Sequence, residues 1–416
     1  MPNVLKLPNF RRLFLSGFFS EMGSFITETA LMLFVFQISG QNKAYLGITR
    51  AAFLTFLTLG SILGGPLGQK YNRKKILIFS NLCRIPLMIS LIFSSHLILI
   101  IAVNSLIAFF TGLYNPSRHT MVNDLVPPKD IPSANSIFSS TMAILHIVGP
   151  FVGAFAFTYF NGITEVLSFD LFTYFIGVFL LMKINYHPPK NINENIEEHN
   201  FFTEINNALK LVLKRLDLIS LYLNCIVGGL CIGVLIPLLL PFVTEVLHQG
   251  QRQYGILLSI FGLGGIVGAI SSSKLSQYLK PGKIVTYCIC LEAIIMNVWI
   301  QVHHYYFSLI VIFIWGVFVF LRLPSQLNYL SLTVETKFLT RAHSLLDLSF
   351  VIPNIAGGIF IGYLGNSFTA QKLLEIVGIA FLIMTIPRFF LKEMKALNNS
   401  SLEQVSRDEA AQDKTI

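Results

Sequence analysis

The sequence predicts an all-α polytopic membrane protein of about twelve transmembrane helices in two parallel six-helix repeats. Three observations lead there. Hydrophobic residues make up 54% of the 416 and charged residues only 12%, against about 25% charged in soluble domains, and mean hydropathy is +0.67. About twelve apolar runs approach the roughly 20 residues that a bilayer span needs. Short motifs also return along the chain after a nearly constant interval.

Taken in order, the chain begins with a short basic stretch, 1–12. No small-residue cleavage site follows the first apolar run, so the reading is an uncleaved signal anchor. The spans fall near 13–36, 46–68, 76–93, 97–115, 136–160, 166–183, 218–242, 254–273, 284–302, 305–323, 345–366 and 372–391. The longest internal loop, 184–217, opens with His187-Pro188-Pro189 and an Asn/Glu-rich run of linker composition. Within it Phe202, Ile205, Leu209, Val212 and Leu216 recur at helical spacing, which predicts an amphipathic helix on the membrane face. Four segments result. Residues 1–183 are an N-terminal six-helix half, 184–217 a cytoplasmic linker, 218–391 a C-terminal six-helix half, and 392–416 a polar, disordered cytoplasmic tail.

Charge sets orientation. The net charge is +9, but the basic residues lie in short loops between apolar runs and not on one patch, which argues against a nucleic-acid partner. Loops read as cytoplasmic hold Arg11, Arg12, Lys70, Arg73, Lys74, Lys75, Arg118, Lys129, Lys183, Lys210, Lys214, Arg215, Lys274, Lys280 and Lys283, while the opposite loops hold Lys43, Arg50, Arg252 and Lys372. That asymmetry puts both termini in the cytoplasm, with the lipid bilayer as the protein's solvent.

The repeats carry a second message. Pro116-Ser117 returns as Pro324-Ser325, Ala134-x-Ser136 as Ala342-x-Ser344, and Gly149 as Gly357, each 208 residues on (324 − 116, 342 − 134, 357 − 149). Leu63-Gly64-Gly65-x-x-Gly68 returns as Leu263-Gly264-Gly265-x-x-Gly268 after 200. Parallel halves related by an axis along the membrane normal place a substrate site near the midplane.

Between spans two and three, Gly64-Gly65-Pro66-Leu67-Gly68-Gln69-Lys70-Tyr71-Asn72-Arg73-Lys74-Lys75 forms a basic turn. Its small residues at 64, 65 and 68 would let helix backbones approach closely. This stretch resembles the loop between helices 2 and 3 of major facilitator superfamily (MFS) transporters, with Gly65, Leu67, Lys70, Arg73, Lys74 and Lys75 matching; Gln69 stands where that family has Asp. Asn9-Phe10-Arg11-Arg12-Leu13-Phe14, Asn115-Pro116-Ser117 and Ala134-Asn135 resemble the branch that holds macrolide-type efflux pumps and an enterobactin exporter. Gly149-Pro150-Phe151-Val152-Gly153-Ala154 resembles an exporter motif, with Gly149, Pro150 and Gly153 at a helix kink and Ala154 in place of a Gly. The resemblance implies a cavity lined by spans 1, 4, 7 and 10. It also implies a gate loop at Gly65, Gln69, Lys70, Arg73 and Lys74. The Arg of many proton-coupled members in span 4 is Ile107 here, and neutral Gln69 leaves the neighbouring cations without its carboxylate.

Candidate chemistry lies in the intramembrane polar groups. Glu21 and Glu28 are seven residues apart on one helix face, with Ser24 beside them. An acid at mid-membrane costs about 2.5–3.5 kcal/mol, so the pair demands a polar cavity or cationic partners, Arg50 or Arg84 among them. Arg84 and Glu292 occupy equivalent repeat positions, 292 − 84 = 208. Arg322 and Asp347 read as an ion pair, and His146 as a hydrogen-bonded helix residue. Glu21, Ser24, Glu28, Arg84 and Glu292 are thus the candidate proton and substrate site. The five cysteines lack metal-ligand spacing, no phosphate-binding loop appears, and neither metal nor cofactor is expected.

The function that fits is no enzyme. It is a secondary transporter, expected as a monomer in the inner membrane, that exports a small organic solute (drug, siderophore or metabolite) by antiport against protons. An importer or facilitator of a nutrient, siderophore or lysolipid is the alternative on this fold, and a non-transporting sensor or accessory protein the alternative beyond it. A reporter active only outside the cytoplasm is expected to stay silent when fused after residue 215 and to work when fused near His96; the reverse pattern would overturn the orientation.

Overall fold

The computed structural model describes residues 3–186, 209–210, 212–334 and 336–399. Twelve helices, α1 (Pro8–Ile38), α2 (Lys43–Lys70), α3 (Arg73–Ile92), α4 (Leu97–Leu125), α5 (Ile131–Tyr159), α6 (Thr164–Met182), α7 (Leu216–Glu245), α8 (Gln251–Leu275), α9 (Pro281–Ile300), α10 (Tyr305–Thr333), α11 (Thr336–Leu364) and α12 (Ala370–Thr385), are followed by a short α13 (Lys392–Asn399). The twelve are long and apolar enough to cross a membrane. Phe79, Phe93, Phe172, Phe175 and Phe179 stand exposed on α3 and α6 and the turn after α3, as a surface solvated by lipid tails permits. The expected amphipathic helix lies mostly outside the described residues; Val212 of its apolar row is buried.

Two compact units make up the chain. One holds Met1–Glu197 with Gln249–Ser259 and Ile361–Asn366; the other holds Glu198–His248, Ile260–Phe360 and Ser367–Ile416. In the first, α1 packs on α5 and α6, α2 on α4, and α3 on α4 and α6. In the second, α7 packs on α12, and α9 on α10 and α12. These pairs repeat those of the first unit.

Glycine sets the closest approach. A Cβ on Gly60 would lie 2.1 Å from the Phe109 carbonyl oxygen, and one on Gly112 2.2 Å from that of Leu57, so α2 and α4 are in backbone contact. Gly64 and Gly68 continue this seam against Leu113 and Ser117, at the spacing of membrane helix pairs. Gly65 does not take part: its Cβ direction is open, because it lies about 100° around the helix from Gly64. The true register also corrects one repeat. Gly60 against Phe109 matches Gly268 against the Val317 oxygen, an interval of 208 on both helices (268 − 60, 317 − 109). The 200-residue likeness of the double glycines is therefore a coincidence of small residues, two turns out of register.

Gly149 and Gly153 of α5 lie against Phe25 and the Ile26 oxygen of α1, and Gly357 of α11 lies against Gly233 of α7, again at 208 (357 − 149, 233 − 25). The helix continues unbroken through Pro150. The tail, expected to be disordered from 392, begins instead with α13. Leu397 is fully buried, and a Cβ on Gly282 would collide with its carbonyl oxygen.

Gly60→Ala is expected to lower stability by about 1–3 kcal/mol through overpacking, while Gly65→Ala changes it by less than about 0.5 kcal/mol. Thermal unfolding of the purified protein in detergent measures both.

Candidate functional site

Within the first unit lies a cavity of about 200 Å³, lined by α1, α2, α3, α4 and α6. Of the helices the resemblance implies, α1 and α4 contribute here. Glu21, Ser24 and Glu28 line it from α1, Arg50 from α2, Asn104, Ile107 and Asn115 from α4, and Asp170 and Tyr174 from α6.

The two acids of α1 both hold guanidinium groups. Glu21 accepts from Arg118 of α4 at 2.6 Å, and Glu28 from Arg50 of α2 at 2.6 Å. Neither arginine is a loop residue, contrary to the orientation count. Helix α4 runs ten residues past the apolar run that ends at 115, and α2 starts before the run at 46. Arg118 is thereby drawn into the bundle, and Arg50 lies a turn inside the second run already. Arg118 also lies over the rings of Tyr114 and Phe138, at 5.7 and 5.6 Å. Ile107, where the resemblance implies the arginine of many proton-coupled members, is a buried wall residue. The cation of α4 sits three turns further on (118 − 107 = 11).

Arg84 is 1% exposed yet has no carboxylate at ion-pair distance among the described residues. It donates to Asn81 Oδ1 at 3.1 Å and reaches Ser20 Oγ at 3.5 Å. Its charge rests over the rings of Tyr114 and Tyr174, at 5.2 and 5.5 Å. Its Nε and Nη2 are unpartnered.

Asp170, absent from the sequence reading, is 1% exposed and still on the cavity wall. Its signal was in plain view, a lone acid inside the apolar run 166–183. It accepts from Tyr174 at 3.4 Å and lies 3.2 Å from Thr173 Oγ1.

In the second unit Glu292 accepts from Arg322 twice, at 2.6 and 3.0 Å. Arg322 therefore pairs with Glu292 and not with Asp347, which is exposed one helix away. Position 322 is the repeat equivalent of Tyr114, as 292 is of Arg84 (322 − 114, 292 − 84). A cation over a ring in one unit has become a salt bridge in the other. His146 bonds within its own helix, to the Met142 oxygen at 3.0 Å, and packs on Phe25.

In the basic turn, Arg73 donates to the Gly68 oxygen at 3.1 Å and forms a very short ion pair with Asp124 at the end of α4. Tyr186 donates to the same carboxylate at 2.6 Å; burial, then that carboxylate, push its hydroxyl up to about 12, so it stays a donor at neutral pH. Asp124 thus supplies the acid that Gln69 lacks. Lys74 Nζ caps the end of α6 through the Met182 and Ile184 oxygens, at 3.0 and 2.8 Å. Gln69 and Lys70 are exposed.

The twelve-helix repeat and the polar cavity define a membrane transporter of the MFS fold. The chain belongs to the transmembrane secretion effector family, whose model matches residues 3–414. It is similar to the staphyloferrin A transporter of Staphylococcus aureus, with 24% identity over 64% of this chain and 67% of that one. It is also similar to the enterobactin exporter EntS of Citrobacter koseri, with 21% identity over 91% and 90%. The structure superposes on that of the nucleoside transporter NupG with a TM-score of 0.77, 12% identity, and 93% and 99% coverage.

Breaking the Glu292–Arg322 pair, each side chain 4% exposed, is expected to cost about 3–5 kcal/mol for either Glu292→Gln or Arg322→Gln. Replacing both costs less than the sum, because no buried charge is then left alone. A double-mutant cycle read by detergent unfolding checks this.

Proposed function

We propose that the protein exports a small organic solute of the siderophore type across the inner membrane by exchange against protons. Both termini and the 184–217 linker would face the cytoplasm, and the working unit would be a monomer. The observation that carries this reading is the cavity with Glu21 and Glu28 on its wall, the first held from behind by Arg118 and the second by Arg50, itself a wall residue. A bundle interior keeps such pairs at the cost of desolvating four charges; facing a cavity, they can exchange partners with a ligand. An anionic group of a ligand competes for Arg50, and a cationic or hydroxyl group for Glu21 or Glu28. Ser24 and Arg84 join them in the proposed proton and substrate site. Glu292, locked to Arg322, is assigned to holding the second half together.

The names of two relatives support the solute class, since one is a staphyloferrin A transporter and another an enterobactin exporter. The family description, secretion, supports the direction. Of the residues of the basic turn, Arg73 and Lys74 are proposed to fix the ends of α4 and α6, with Gly65, Gln69 and Lys70 free to meet other surfaces. Gly149, Pro150 and Gly153 are proposed to hold α5 against α1.

Everted membrane vesicles loaded with a proton gradient and offered catecholate and carboxylate siderophores and a drug panel test the reading. Uptake that collapses with an uncoupler supports it; uptake only in right-side-out vesicles would replace it with import. Glu21→Gln is expected to reduce uptake tenfold or more, the order of a lost charge-assisted contact of about 1.5–3 kcal/mol, with insertion unchanged. Glu28→Gln reduces it less, since the Glu28 side chain is 38% exposed. Normal uptake by Glu21→Gln would remove Glu21 from the site.

A further inference from the structure

We infer that Asp170 is the carboxyl group that takes up and releases the exchanged proton. This rests on the proton-exchange reading above and assigns its chemistry to a residue of α6.

The cavity acids differ in what each is bonded to. Glu21 and Glu28 accept from guanidinium groups. A guanidinium only donates, so protonating either acid would cost it its counter-charge, and protonating Glu21 would leave the buried Arg118 without one. Asp170 faces hydroxyls instead, Tyr174 Oη at 3.4 Å and Thr173 Oγ1 at 3.2 Å. A hydroxyl donates to a carboxylate and accepts from a carboxylic acid. Tyr174 Oη donates to the carboxylate, while Thr173 Oγ1, whose hydrogen goes to the Asp170 main-chain oxygen at 2.6 Å, can accept from the acid, so both protonation states are served without any side chain leaving its place.

The surroundings are shaped for this group. A Cβ at Gly23 of α1 would lie 2.2 Å from Asp170 Oδ1 and 2.7 Å from Thr173 Oγ1, so the carboxyl sits in a notch that only glycine leaves open. A counter-charge is present but held off: Arg84 of α3 lies over the Tyr174 ring at 5.5 Å, and the hydroxyl of that ring touches Asp170. The cation stabilises the ionised form across the ring without forming the direct pair that would fix it. The other charged or titratable groups nearby are Glu21 and Glu28 of α1, committed to Arg118 of α4 and Arg50 of α2, and Tyr114 of α4, under Arg84. From α5 comes His146, stacked on Phe25.

The step is simple in its balance. An O–H bond forms on an Asp170 oxygen with a proton from cavity water, taking the side chain from −1 to 0, and the same bond breaks when the proton returns to water. While Asp170 is ionised, it offers a negative charge on the cavity wall to a cationic or hydroxyl group of the solute; protonation removes that charge, so proton and solute compete for one carboxyl, as exchange requires.

The test is pH-difference infrared spectroscopy on the full chain in lipid nanodiscs, following the C=O band of protonated carboxyl groups with no solute added. The wild type is expected to show a titrating band that is lost in Asp170→Asn and kept in Glu21→Gln and Glu28→Gln. If Asp170→Asn does not insert, Tyr174→Phe and Gly23→Ala serve: each is expected to move the midpoint by about one unit, having altered one contact of the carboxyl. A band that survives Asp170→Asn, that is absent from the wild type, or that neither Tyr174→Phe nor Gly23→Ala moves overturns the assignment. Failure of the exchange reading shows elsewhere, in wild-type vesicles that accumulate nothing against a proton gradient.

Discussion

The constraint on which this structure depends is that a charge inside an apolar bundle must be met by another group of the protein. The interior of the first unit holds Glu21, Glu28, Asp170, Arg50, Arg84 and Arg118, and that of the second holds Glu292 and Arg322. Each ion is too costly to bury alone, so the partner of each fixes which helices must neighbour. Glu21–Arg118 ties α1 to α4, Glu28–Arg50 ties α1 to α2, and Glu292–Arg322 ties α9 to α10. Glycine then decides how closely the helices come, with the α2–α4 seam at Gly60 and Gly112 as the tightest contact of the first unit's core. Electrostatics chooses the neighbours and small residues choose the distance.

The two units share a backbone plan and differ in chemistry. Positions 84 and 114 carry a cation over an aromatic ring, while 292 and 322 carry a closed salt bridge. The arrangement over the ring leaves two nitrogens of Arg84 without partners; the salt bridge leaves Glu292 and Arg322 mutually satisfied. Ser20 reaches Arg84 in the first unit, where Gly228 stands beside Arg322 in the second. The fold repeats while the charge at these positions is met by a ring in one copy and by a carboxylate in the other.

Most of the architecture was legible in the sequence, because span length and hydropathy are averages over some twenty residues and tolerate local error. The site was less so. Arg118 reads as a loop residue when the apolar run, and not the helix, draws the boundary, because α4 continues through Asn115, Pro116 and Ser117 into residues that look like a loop; Arg50 already lies inside the second apolar run, and counting it with the loop follows its charge and not its place. Arg322 was matched with Asp347 by closeness along the chain, whereas its partner comes from α9, thirty residues earlier. No spacing rule connects those two positions; only the packing of α9 on α10 does. Gly65 was grouped with Gly64 on composition alone, and the helical period sends it to another face. Asp170 stood in the sequence as an isolated acid in an apolar run and drew no notice, since without Gly23 and Tyr174 in view it had nothing to belong to.

Cations in a turn between two membrane helices, such as the one after α2, can answer to two different rules. For orientation in a bilayer only their number and side count, and a lysine can drift a place or two along the turn without effect. For the folded protein the place matters. Lys74 sits on the Met182 and Ile184 oxygens, and Arg12 on the Lys183 oxygen at 2.5 Å, so the last turn of α6 is closed off by nitrogen atoms borrowed from α3 and α1. The helix that carries Asp170 is thereby clamped at one end by its neighbours. Evolution can shuffle charges freely in a turn that only tells a membrane which side is which; in this one, Lys74 is also a fastener.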